Sequence, residues 1–467
     1  MRPPERVRSA TAPGAGAPDR RIPPAIGPVP SLTVPPLERR RLSNGLELLI
    51  VPWRELPVVD LRLVVRTGAA VDPPVYAGRA GIVAEMLDEG TTERSALDFA
   101  LEVEHLGGEF SMTAGWDATH LSLHVLRSRL EPALALLAEA VLRPTLPEPE
   151  LRRVKGERRA DLLRQLQEPR ALAARGFIAA VYGPDHPYGT AASGTVESIA
   201  RLGRDDVVDF YRSYYRPNHA FLVAAGDVRP EEFAPLVERV LGGWEPGPVP
   251  EAEPPARPAN RPTRVHLVDK PGAAQSEFRL GHAGPPRTTP DYFPLIVLNT
   301  ILGGAFTSRL NLALREERGY TYGAGSRFDF RRGPGPFSAS SAVFTGVTAD
   351  AVAVCLDEIR RIREEPVPED ELERARSYLA LGLPRGLEST ADIARVVAEI
   401  ELFGLGDDYL ERFVDHVLAV SAEEVGRVAR EHLDPDAMAI VVVGDGDEVE
   451  APLRELGIGP VEPLVVS

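Results

Sequence analysis

The sequence predicts an α+β fold of two similar halves, each a mixed sheet covered by helices in an α/β roll, joined by a Pro-rich linker into a clamshell. Three observations carry this reading. A strand at Leu46 and a strand ending in Gly226-Asp227 find counterparts at Val265 and at Gly444-Asp445, offset by roughly 218 residues in both cases. Between these landmarks the apolar spacing is mostly helical. The stretch Glu245–Pro262 is rich in proline and has no periodicity, as a linker should.

The elements follow in order. A turn at Ser43-Asn44-Gly45 leads into Leu46–Val51, and Val58–Arg66 partly alternates apolar and polar residues. Helices are expected after Gly78, after Ser95 (where Ser95 and Asp98 make a capping box), over Leu130–Leu142, and in one long run from Pro147 to about Ala180. A strand at Ala220–Ala225 and a helix at Glu231–Leu241 close the first half. Beyond the linker come strands at Val265–Val268 and Phe278–Gly281, helices over Tyr292–Leu314, a helix-rich stretch Ala349–His432, and a strand at Ala439–Val443. The domains are therefore a Pro- and Arg-rich arm at 1–35, a first half at 36–244, a linker at 245–262 and a second half at 263–467, with any ligand expected between the halves.

Composition narrows the function. With 467 residues, 43% hydrophobic and 26% charged, the chain fits a soluble protein of two to three domains. No apolar run reaches the roughly 18 residues of a membrane span, and the net charge of −16 disfavours nucleic acid or an anionic membrane as partner. Cys355 is the only cysteine, which excludes an intrachain disulfide or a Cys-rich metal site. The arm has no apolar signal core, and its prolines oppose a mitochondrial presequence helix, so a cytoplasmic location is expected. Lys155 and Lys270 are the only lysines.

Several segments together resemble the pitrilysin/insulysin zinc peptidases, a family that includes the mitochondrial processing peptidase. Asn44-Gly45-Leu46 and Arg66-Thr67-Gly68-Ala69 resemble the family's first two strands. Gly78 to Thr91 is similar to its zinc helix and the Gly-Thr turn behind it. Asp269–Ser276, Gly303–Leu310 and Leu314–Tyr322 resemble its second domain. The likeness runs from about Leu42 to Asp445.

Active members carry His-x-x-Glu-His on a helix: two imidazoles on one face bind zinc, and the Glu between them is the general base. At the matching positions this chain has Gly81, Ala84 and Glu85. The third ligand, a Glu from the next long helix, falls at Arg158, or at Glu157 with a one-residue slip. Such a set cannot hold zinc. The Asn-Ala pair on the family's substrate strand is replaced by Phe110-Ser111.

No other site compensates. His120 and His124 sit four apart on an expected strand, about 13 Å from each other, which is too far for one ion. Leu101-Glu102-Val103-Glu104-His105 is a near-miss without its first His. His186 and His219 have Pro neighbours in loops, and Cys355 lies on an apolar helical face.

What the resemblance preserves lies in the second half. Active members use an Arg and a Tyr seven residues apart to bind the substrate near the scissile carbonyl, and Arg315 and Tyr322 match that spacing, whereas Tyr320 does not. A fixed cation and a neutral O–H donor suit a developing oxyanion. Gly303 and Gly304 could let a peptide backbone approach, or simply end a helix. The resemblance thus implies a zinc-less subunit, inactive alone and holding no cofactor. It would pair with a homologous zinc-binding subunit and act on extended peptides. A structural subunit of a larger complex and a stand-alone peptide-binding module are the alternatives.

Overall fold

The computed structural model describes residues 36–259 and 261–466. The expected arm at 1–35 lies outside them. Within the described residues each half is built on one six-stranded mixed sheet. The first contains β1 (Glu38–Arg41), β2 (Glu47–Pro52), β3 (Val58–Val65), β4 (Glu109–Ala114), β5 (Thr119–Leu126) and β6 (Ala220–Gly226), in the order β1-β2-β6-β3-β5-β4. The second contains β7 (Arg264–Asp269), β8 (Gln275–Ala283), β9 (Ala324–Phe328), β10 (Pro336–Phe344), β11 (Ala439–Gly444) and β12 (Val461–Pro463), in the order β12-β7-β11-β8-β10-β9. Strand for strand, the two orders match: β2 pairs parallel with β6 as β7 does with β11, and β3 and β8 run antiparallel beside them. Only the outer strands differ in origin. β1 precedes its sheet in the chain, whereas β12 comes last.

The central strands β6 (Ala-Phe-Leu-Val-Ala-Ala-Gly) and β11 (Ala-Ile-Val-Val-Val-Gly) are apolar at every position, the mark of a strand buried on both faces. One face of each sheet packs on helices of its own half. In β3, for example, Val59, Leu61, Leu63 and Val65 point into the first core. The other face is covered by a helix from the opposite half. The helix Thr390–Phe403 lays Ile393, Ala394, Val397 and Ile400 on Leu49, Val64, Phe221 and Val223 of the first sheet. Reciprocally, a first-half helix lays Leu172, Ala173 and Phe177 on Val268, Val441 and Val443 of the second. Each such side chain contributes about 1.5–3 kcal/mol by burial, so the exchange is a large part of the stability.

Polar contacts pin the exchange. Glu401 accepts from Arg39 at 2.7 Å and from Arg66 at 2.6 Å. Asp60 on β3 accepts from Thr390 and lies 3.0 Å from His124 Nδ1. Arg331 of the second half stacks on Trp116 and Tyr188 of the first, with its guanidinium carbon 4.4 and 4.6 Å from their ring centres. The exchanged helices thus pack the two halves together, and clefts remain beside them, two of them lined in part by the linker.

Helix expectations need two corrections. The long run from Pro147 is two helices, broken where Glu168 takes an extended conformation before Pro169. With α1 at Arg79–Glu85, α2 at Ala96–Leu106 and α3 at Leu130–Leu142, they are α4 (Glu148–Gln165) and α5 (Pro169–Tyr182), and α5 is the helix that crosses to the second sheet. The stretch Tyr292–Glu317 does reach the length and apolarity of a membrane span, contrary to the sequence expectation. Its residues Leu295, Leu298, Ile301, Leu302, Leu310 and Leu314 instead fill the second core, and it is interrupted at 305–308.

Candidate functional site

The degenerate zinc positions lie where α4 crosses α1. Buried Asp72 holds the start of α1, accepting from the Ala80 N–H at 3.0 Å and from Arg79 Nε at 3.1 Å. A carboxylate there also complements the positive end of the helix. Burial nevertheless pushes Asp72 up to about 6, against the pull of those hydrogen bonds. Gly81 and Ala84 are buried in α1 and offer no donor atom. Glu85, at the helix end, is ion-paired with Arg158 of α4, which also donates to Ser193 O at 3.4 Å. A Cβ on Gly81 would lie 3.4–3.5 Å from the terminal nitrogens of Arg158. The space beside residue 81 therefore belongs to a guanidinium. Glu157 takes no part, since it points outward to Arg153 at 3.0 Å. Arg153 also binds Glu150 and Glu89, and Asp88 beside them is pushed up to about 6 by burial and by Glu89.

These residues do not fit zinc. Gly81 and Ala84 offer no ligand atom, and Glu85, the carboxylate at the second imidazole position, is neutralised by a fixed cation. Among the described residues, one group of three metal-capable side chains converges: Asp291, Glu431 and His432 in the second half. Its Asp291 is engaged by Arg427 at 2.7 Å and by His432 at 2.7 Å, and Arg427 holds it below the usual carboxylate range. That is an ion-pair network in which Arg427 serves both Asp291 and Glu431.

β4 is the edge of the first sheet: β5 pairs with one side, and no strand pairs with the other among the described residues. Phe110 packs toward Phe99, with ring centres 5.6 Å apart, while Glu109, Ser111 and Thr113 are exposed. α1 lies against this strand. A half-exposed edge next to a helix end is a template for an added strand.

The histidines at 120, 124, 186 and 219 have structural surroundings. His120 is buried on β5, which pushes it down to about 4, and His124 faces Asp60 at the exchanged-helix interface. His186 ties the linker through Ala256 O at 2.9 Å, and His219 Nε2 lies 2.8 Å from Thr67 Oγ1. Cys355 is fully buried, and burial pushes its thiol up.

In the second half Arg315 sits in a π-helical turn, Leu312–Glu317, preceded by another at Thr300–Gly304. π-turns often mark functional positions. The Arg315 guanidinium lies over the Phe306 ring, 4.3 Å from its centre, and its buried Nη1 makes no hydrogen bond among the described residues, only a 3.5 Å ion pair with Glu316. Tyr322 is 92% exposed, whereas Tyr320 is engaged, donating to Asp350 at 2.7 Å. The segments are held by Asn311, which donates to Phe306 O at 2.5 Å and accepts from Ala324 N at 3.2 Å. Gly303 has a packing role: a Cβ there would come within 2.2 Å of Ser326 N on β9, and one on Gly304 would meet Asn299. Sequence reasoning missed Asp72, Glu401 and Arg331. Each acts through a partner distant in the chain, and no local motif signals it.

Two family models match the chain, one described as insulinase (peptidase family M16) over residues 54–183 and one as peptidase M16 inactive domain over 201–379. Among relatives, an uncharacterized zinc protease of Mycobacterium tuberculosis (strain H37Rv) is 27% identical over 89% of this chain and 94% of its own length. Another from Streptomyces coelicolor is 26% identical over 85% and 87%. The crystal structure of a peptidase M16 inactive domain from Pseudomonas fluorescens superposes with a TM-score of 0.82 at 29% identity, covering 88% of this chain and 98% of that one. A protease from Helicobacter pylori has the same fold, with a TM-score of 0.80 at 20% identity over 88% of this chain and all of that one. The chain belongs to the pitrilysin-type M16 peptidase family. Within that family it is a zinc-less member, because Gly81, Ala84 and the Glu85–Arg158 pair stand where a metal would be held.

Proposed function

We propose that this chain is the non-catalytic subunit of a two-chain zinc peptidase, binding an extended peptide and presenting Arg315 and Tyr322 to a homologous partner that carries His-x-x-Glu-His. The observation that supports this reading most is the contrast between its two sites. The zinc position is closed by an internal ion pair, while the second half displays two donors with few competing partners: an exposed Tyr322 hydroxyl and an Arg315 guanidinium whose one carboxylate contact among the described residues is a long 3.5 Å pairing with neighbouring Glu316. A peptide carbonyl gaining negative charge during attack by water is the natural acceptor for both. The partner would supply the metal and the general base, and the free edge of β4 would take peptide backbone by strand addition.

The test is co-expression with a homologue that has the zinc motif. The pair should cleave an unstructured peptide in a zinc-dependent manner, while neither this chain alone nor a pair carrying Arg315→Ala should do so at a comparable rate. Zinc-dependent cleavage by this chain alone, or full activity of the Arg315→Ala pair, would overturn the reading.

A further inference from the structure

A cleft of about 480 Å³ opens on the outer face of the second sheet, far in sequence from Arg315 and Tyr322. Its floor is a set of cross-strand neighbours. Glu462 of β12 stands opposite His266 of β7, Arg264 opposite Ala439 of β11, and Ala439 opposite Gly281 of β8. Its wall is the last turn of α5, and the linker closes a third side. The space has a geometric origin. α5 touches the sheet tightly at Gly176, where a Cβ would come within 2.9 Å of Leu464 and 3.2 Å of Val441. One turn later it faces the sheet with Ala179 and Ala180, above Ala439 and Gly281. Small residues on both surfaces leave a volume of the size used for small ligands, where protein interiors are normally filled.

The polar groups around this space are of both signs. Arg264 and Glu462 form an ion pair, but one contact leaves most of the guanidinium fork and a second carboxylate oxygen available. The His266 ring has no hydrogen-bond partner among the described residues, and burial holds it below its ordinary pKa, so it is neutral near pH 7. Of the last-turn carbonyls of α5, that of Ala179 accepts from the Gly183 N–H at 2.9 Å, those after it have no donor within the helix, and Pro184, which follows Gly183, has no N–H to give.

We infer that this cleft binds a short zwitterionic peptide of dipeptide size. Its carboxylate is received by Arg264 and its ammonium by Glu462 and the carbonyls ending α5. The central amide is hydrogen-bonded by His266, and an apolar side chain lies on the alanine floor. The site spans α5, the linker and the second sheet, so occupancy ties together three segments that join the two halves.

Calorimetry and thermal melts of the full chain with L-alanyl-L-leucine, and with its N-acetylated, C-amidated form, test this. The free dipeptide should release or absorb heat at millimolar concentration and raise the melting temperature, and the blocked form should do neither. Arg264→Gln, at an exposed position, should weaken binding about tenfold by removing a charge-assisted hydrogen bond. Ala439→Leu should abolish binding by filling the floor. Circular dichroism checks that each variant is folded, and Arg264→Gln keeps the test decisive if Ala439→Leu is not. No binding of the free dipeptide, equal binding of the blocked form, or unchanged affinity in Arg264→Gln would overturn the inference.

Discussion

Arg158 binds Glu85 across the crossing of α4 and α1, placing a fixed cation beside Gly81. Gly81, Glu85 and Arg158 form a matched set, because the guanidinium uses the room left by the missing side chain and neutralises the one carboxylate.

This set predicts coupling between residues 81 and 158. Gly81→His must push the guanidinium aside and should cost on the order of 2 kcal/mol. Arg158→Met alone, which leaves Glu85 unpaired, should cost about 1 kcal/mol. The double variant should be less unstable than the sum by about 1 kcal/mol, read from denaturant unfolding of the four proteins. Additive losses would show that the two side chains do not share the space.

Tyr322 and Arg315 should separate stability from function. At 92% exposure Tyr322→Phe should leave the melting temperature unchanged within error, since surface changes of this kind stay within about 0.5 kcal/mol. In the zinc-containing pair the same change should lower kcat by about tenfold to a hundredfold with little effect on KM, as the loss of a transition-state hydrogen bond does. Steady-state kinetics on a quenched fluorescent peptide gives both numbers. A scaffold role would leave kcat untouched.

Glu401 bridges Arg39 and Arg66 at the edge of the exchanged helix Thr390–Phe403. Glu401→Ala leaves the partly buried Arg66 without its closest carboxylate and should cost about 2 kcal/mol. Unfolding followed by tryptophan fluorescence and by circular dichroism should remain one coincident transition, because each sheet needs a helix from the other half. Two separated transitions would mean that the halves are stable apart.

Asp88 carries a pH signature. Burial and the nearby Glu89 and Glu85 hold its folded pKa at about 6, above the 3.8 of the unfolded chain, with Arg153 opposing them. Between these values the folded state binds the extra proton, so this group adds stability as pH falls from 6 toward 4 and withdraws it above 6. Asp88→Asn should therefore be more stable than the parent at pH 7.5, by at most about 3 kcal/mol, with the difference shrinking toward pH 4.5. Melts at the two pH values decide it, and a constant difference would remove the buried carboxyl as its source.

Much of the fold was legible because its strongest strands are those buried on both faces. β6 and β11 are apolar throughout, and their shared Gly-Asp ending exposed the duplication. β1, β9, β10 and β12 were not legible. Glu-Arg-Arg-Arg in β1 has no apolar alternation, and β10 is largely Ser and Ala, whose strand conformation is imposed by β8 on one side and β9 on the other. The same limit applies to the sites. The loss of zinc ligands could be read at positions 81, 84 and 85, since that chemistry is local. The filling of the vacated place by Arg158 could not, because it depends on how α4 crosses α1. The cleft at His266 depends on small residues brought together from β8, β11 and α5 beside Arg264 and His266 of β7, and no single segment carries its pattern.

The reciprocal helix exchange has a consequence during synthesis. β6 completes the first sheet at Gly226, yet the helix that covers its outer face begins only at Thr390. At ordinary translation rates the ribosome needs on the order of ten seconds to make the intervening chain. For that time Leu49, Val51, Val64, Phe221 and Val223 present an uncovered apolar face on the nascent protein. A ribosome stall or premature stop between the linker and Thr390 would release a fragment with that face permanently bare, a natural target for chaperones and quality-control proteases.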